Sequence, residues 1–107
     1  MDPEEQFWQL AEPMLATGGV TRSTMMGLPC LRVDGKFFAS LDRKTRHLLV
    51  KIPTERVAEL IAAGSAFPFA PAGRTFREWA AIPPTASATW AALLDEAKTF
   101  VATMGHR

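Results

Sequence analysis

The side chains best able to do chemistry in this chain are few and scattered. Histidine occurs twice, at His47 and His106, and cysteine once, at Cys30. A thiolate nucleophile with an imidazole base would need Cys30 and His47 side by side in one sheet. No further pattern supports that pair, and the plainer reading is a buried strand thiol and a histidine at a strand end. One cysteine and two distant histidines give no metal-ligand spacing. Glu55 with Glu59, and Asp95 with Glu96, flank apolar helical stripes, where acids are ordinarily solvated. No phosphate-binding Gly-x-x-x-x-Gly-Lys run or dinucleotide fingerprint occurs, and Gly18-Gly19 follows a helix instead of a strand. The expectation is a non-enzymatic binding module with no catalytic residue, metal or cofactor.

Charge is the stronger signal. Twelve Lys and Arg against eleven Asp and Glu leave a net charge of +1, too little to argue for a polyanionic partner by itself. Its distribution is uneven. The first 21 residues hold Asp2, Glu4, Glu5 and Glu12 and no base, whereas residues 22–51 hold Arg22, Arg32, Lys36, Arg43, Lys44, Arg46 and Lys51 against Asp34 and Asp42. Arg43, Lys44 and Arg46 crowd one turn, and Arg32 belongs to the neighbouring strand. Together they are the candidate nucleic-acid contacts, because closely spaced cations favour phosphate. The bland reading of the same cluster is a charged turn that keeps a sheet soluble and its edges unpaired.

These residues need a scaffold, and the pattern supplies one. Asp2, Pro3 and Glu5 form a helix start, and Phe7, Leu10, Ala11, Met14 and Leu15 recur at helical spacing. Pro13 is expected to kink or end that helix, and Gly18-Gly19 to stop it. Strand-like runs follow at Thr21–Met26, Cys30–Val33, Lys36–Leu41 and His47–Ile52. Gly27-Leu28-Pro29 reads as a break, and Asp34-Gly35 as a hairpin turn. Thr54 is a candidate cap for a second helix with Val57, Leu60 and Ile61 on its apolar face, ended by Gly64. A hairpin around Pro71-Ala72-Gly73 comes next, with Pro68 restricting its first arm to an edge. The last helix, near Ser87–Thr103, carries Trp90, Leu93, Leu94, Ala97, Phe100 and Val101. The order expected is α-β-β-β-α-β-β-α, an antiparallel sheet with segregated helices: an α+β fold, as one domain over residues 1–107. Trp8 and Trp90 fall on or beside helical stripes and Trp79 in a strand, and all three are expected in the core.

Several short pieces carry a resemblance: Gly35-Lys36-Phe37-Phe38-Ala39, Leu48-Leu49-Val50-Lys51-Ile52-Pro53, Arg77-Glu78-Trp79 leading into Pro83-Pro84, and the helix from Trp90 to Phe100. In these the chain resembles the MmcQ/YjbR-like family of small bacterial proteins. Through Met25-Met26-Gly27 it is similar, more loosely, to the TfoX N-terminal domain. The resemblance implies a fold like that of secretion chaperones, with helices on a curved antiparallel sheet, and a DNA-binding role. It carries over no catalytic residue.

Adjacent residues in a strand face opposite ways, so one of Phe37 and Phe38 must leave the core. A two-residue turn at Asp34-Gly35 pairs Val33 with Lys36, Arg32 with Phe37 and Leu31 with Phe38. Phe37 then lies outside, beside Arg32. A three-residue loop with a bulge would instead pair Arg32 with Lys36 and Leu31 with Phe37, so the register decides which ring is out. Phe37 is the candidate interface residue, either as a base-stacking platform or as the seed of a homodimer. The opening MDPEEQFWQL has acids where a signal peptide needs bases, a lone cysteine makes no internal disulfide, and no apolar run approaches the roughly 20 residues of a membrane span. A cytoplasmic chain without a membrane partner is expected.

Overall fold

Asp2 and Pro3 open the first helix as their types require. In the computed structural model, which describes residues 2–17, 19–25 and 27–104, Asp2 is the N-cap and its carboxylate accepts from the Glu4 N–H at 3.2 Å. Helix α1 spans Pro3–Ala16 and buries Phe7, Ala11 and Met14. Pro13 lies inside it without ending it. Gly18, the expected stop, lies outside the described residues, as do Met26 and His106.

Four strands follow: β1 Val20–Met25, β2 Leu28–Val33, β3 Lys36–Leu41 and β4 Leu48–Lys51. That is one more than the order expected before the second helix, because all four strand-like runs pair. Leu28 and Pro29 also belong to β2 instead of breaking it, with Pro29 opposite Thr24. The β2–β3 ladder reaches only Cys30, so the missing proline N–H falls beyond the pairing with β3. Helix α2, Thr54–Ala62, is capped at Pro53 with no side-chain bond, so Thr54 is its first residue rather than its cap. Gly64, at φ +76°, ends it as expected, with Ser65 donating to the Leu60 carbonyl at 2.9 Å. Strands β5, Phe67–Phe69, and β6, Phe76–Ile82, precede helix α3, Trp90–Met104.

The fold is α+β. All neighbours in the six-stranded sheet are antiparallel, in the order β1-β2-β3-β4-β6-β5. Phe7 of α1, Val57 and Leu60 of α2, and Trp90, Leu93, Leu94, Ala97 and Val101 of α3 pack into one cluster with Leu31, Phe38, Leu41, Val50 and Ile82 of the sheet and with Ile52 just after β4. Ile61, expected on the buried face of α2, is 37% exposed. Phe100 packs only partly against the core.

The β2–β3 hairpin decides which side chains leave that cluster. Asp34 and Gly35 have φ of 51° and 80°, the two positive values that a tight two-residue turn demands. Val33 therefore pairs with Lys36 and Arg32 with Phe37. The continuation expected from the sequence, Leu31 opposite Phe38, does not occur. The register shifts, setting Leu31 opposite Ala39 and Cys30 opposite Ser40. This β-bulge leaves Phe38 as the extra residue and lets Phe38 and Ala39 both enter the core. An unbroken ladder would have aimed Ser40 at the helices. Instead its buried hydroxyl donates to the Pro29 carbonyl at 2.9 Å.

The tryptophans divide. Trp90 is fully buried, but Trp8 and Trp79 are only half-buried, contrary to the expectation of core positions for all three. Replacing Trp90 with Ala is expected to cost about 3–5 kcal/mol in urea unfolding. The same change at Trp79, whose neighbours are Phe69 and Lys51 rather than the helices, is expected to cost less than half as much. Equal losses would place Trp79 in the core.

Candidate functional site

The turn from Asp42 to Arg46 is built by Asp42. Its Oδ1 accepts the backbone N–H of Lys44 at 2.9 Å, and its carbonyl accepts from the Arg46 N–H at 2.8 Å. Arg46 adopts the left-handed φ of 63°. Arg43, Lys44 and Arg46 are all exposed here, as their types suggested, but they are not equally free. Arg43 donates through Nε and Nη2 to both carboxylate oxygens of Glu4, at 2.9 and 3.2 Å, and through Nη1 to the Gly27 carbonyl at 3.3 Å. Arg46 is ion-paired with Asp2. The acidic start of α1 thus folds against the basic turn and neutralises two of its three cations. Lys44 has no ion-pair partner among the described residues.

Arg32 lies elsewhere, on the sheet face turned away from the helices. One cross-strand row there runs Ser23, Cys30, Ser40, Leu49, Ala81 and Phe67, through all six strands. Cys30, Ser40, Leu49 and Ala81 are buried although none belongs to the helix-facing cluster. Beside this row sit the paired residues Arg32 and Phe37, and then Lys51 and Trp79. The Arg32 guanidinium lies over the Phe37 ring at 4.3 Å, and its Nε is buried without an acceptor. Phe37 is half-buried and outside the core, as the turn register required. At the far end Phe69 meets Phe76 and Trp79, with ring centroids 5.8 and 6.4 Å away, and Arg74 lies over Phe76 at 5.4 Å. Phe67 is 53% exposed, stacked on His47 at 5.5 Å. The turn cluster and Arg32 therefore do not form one surface: three cations sit beside α1 and the fourth lies among aromatics.

Cys30 and His47 make no catalytic pair. Cys30 lies opposite Ser23 and Ser40, and His47 stacks on Phe67 instead. Burial pushes the Cys30 thiol above its ordinary value, toward the unreactive protonated form. Of the acids read as solvated, Glu59 and Glu96 both receive Arg56. Glu96 takes it in a two-pronged bond at 2.9 and 3.2 Å that ties α2 to α3. Among the described residues no three His, Cys, Asp or Glu side chains gather as a metal site. No described helix is long and apolar enough to cross a membrane.

The sheet and its single helical layer define an α+β domain whose second sheet face bears cations and rings. No family model, no curated protein and no solved structure matches the chain. The likeness to MmcQ/YjbR-like proteins therefore rests on the residues quoted for it.

The Glu4–Arg43 pair has a testable pH signature. The hydrogen bonds from Arg43 hold the Glu4 carboxyl below its ordinary value of 4.5, against a smaller opposing effect of burial. A lowered folded-state value adds stability above pH 4.5 that is lost as pH falls through the folded value. Glu4→Gln is expected to lower the urea midpoint at neutral pH and to leave it unchanged well below that range. A deficit that persisted in acid would show that the ion pair is not its source.

Proposed function

We propose that this chain is a non-enzymatic, DNA-binding module of the MmcQ/YjbR type, and that it holds single-stranded nucleic acid on the helix-free sheet face. The observation that carries the reading is Arg32, a cation stacked on Phe37 with no carboxylate in ion-pair reach among the described residues. Lys51 beside Trp79 repeats the combination two strands away. Rings that accept a base and cations that meet the backbone are the two elements of sequence-tolerant single-strand binding. Arg43 and Arg46 contribute little, because a phosphate would have to displace Glu4 and Asp2. Lys44 is the one cation of the turn available to it.

The test is titration of oligothymidylate at two salt concentrations. Replacing Arg32 and Lys51 together with Gln is expected to weaken binding at least tenfold and to flatten the log–log salt slope by about 1.4, since each lost contact to a single strand removes about 0.7. Changing Arg43, Lys44 and Arg46 to Ala is expected to flatten it by only about 0.7. The opposite ranking would return the interface to the turn.

A second reading has its own observation. Phe67 and Phe76, 53% and 37% exposed, lie at the same end of this sheet and suit a homodimer contact. Light scattering decides between the two. A dimer that Phe67→Ser dissociates, in a chain without affinity for oligothymidylate, would favour self-association.

A further inference from the structure

We propose that the groove between α1 and β1 is a binding site for a small aromatic carboxylate. The groove has a volume of about 440 Å³, within the usual range for small-molecule sites. It lies on the helix side of the sheet, so it is separate from the Arg32 face. Trp8 and Glu4 form its α1 wall, Arg22 and Thr24 come from β1, Pro29 from β2, and Arg43 from the turn after β3. Arg22 and Thr24, two apart in a strand, project to the same side.

The charges select the ligand. Arg43 is already engaged by Glu4 and the Gly27 carbonyl. Arg22 is different: it is exposed, lies over the Trp8 ring at 4.7 Å, and has no carboxylate in ion-pair reach among the described residues. Two guanidiniums and one carboxylate leave the groove a single positive charge, which matches a monoanion. A phosphate dianion would bring a second charge toward Glu4. The planar fork of Arg22 fits a carboxylate in two-pronged fashion. Beside the Arg22 guanidinium, the Trp8 indole and Pro29 supply the apolar part of the lining for an aromatic body, and Thr24 lines the same groove.

The experiment follows the indole N–H resonance of Trp8, assigned by its loss in Trp8→Phe, during titration of the full chain with 1-naphthoate. The neutral isostere 1-naphthamide and inorganic phosphate serve as comparisons. Saturable shifts with a Kd of the order of 1 mM are expected for a ligand of this size. Arg22→Gln should weaken naphthoate at least tenfold while leaving the weaker naphthamide binding unchanged, and Arg22→Lys should restore only part of the loss. The proposal is overturned if naphthoate shows no saturation by about 10 mM, or if naphthamide binds as tightly as naphthoate. It is equally overturned if Arg22→Gln changes nothing, or if phosphate displaces naphthoate at equal concentration.

Discussion

Three helices cover one face of a six-stranded sheet, and the other features of the molecule answer that inequality. The helix side is conventional, with large apolar residues from α1, α2 and α3 closing on Leu31, Phe38 and Val50. No described element forms a second layer on the opposite side, whose central strands must nonetheless remain dry. Small residues down the middle meet that need: Cys30, Ser40 and Ala81, with Leu49 between them, are buried by longer neighbours instead of by another element. Arg32 is one of those neighbours, with its stem across the sheet and its head on Phe37. The cost shows in its buried, unbonded Nε–H, since an unsatisfied buried donor is destabilising by about 1–3 kcal/mol.

The hairpins, caps and apolar stripes were legible because each rests on neighbours in sequence. Asp34-Gly35 has few alternatives to a two-residue turn, Asp2 before Pro3 is a helix start, and Gly64 after an apolar stripe is a stop. Four features were not legible, for different reasons. The bulge at Phe38 depends on where Ser40 would otherwise point, which is a property of the packed core rather than of the strand. Pro29 is tolerated because β3 has stopped pairing there, a fact about another strand. Trp79 has the composition of a core residue and differs only in which face its register gives it. The ion pairs of Arg43 with Glu4 and Arg46 with Asp2 join residues 39 and 44 apart, and no local pattern signals them. The contrast between an acidic first segment and a basic middle was the available clue, and it pointed to mutual neutralisation as readily as to an outside anion.

That contrast bears on how charge should be read in so small a chain. Seven bases between Arg22 and Lys51 look like one field when written in a line. Folding disperses them: Arg22 over Trp8, Arg32 over Phe37, Arg43 and Arg46 onto acids, Lys44 into solvent. Among the described residues five of the seven make no ion pair with a carboxylate: Arg22 and Arg32 rest on rings, and Lys36, Lys44 and Lys51 have no acidic partner. An exposed ion pair contributes little stability, but it changes which cations a partner can meet, and here it removes the densest cluster from contention.

The two margins of the sheet are unlike. At one end β5 is three residues long with Pro68 at its centre, so it lacks a donor where a further strand would need one. At the other, β1 runs for six residues, Val20–Met25, with neither proline nor glycine. Backbone pairing with another chain is therefore open on one side only. Two molecules joined β1 to β1 about a twofold axis would each use up their only receptive margin, and the resulting twelve-stranded sheet would end in β5 at both extremities. Such an assembly would be closed to further strand addition at two, because neither outer β5 offers another strand an unbroken run of donors.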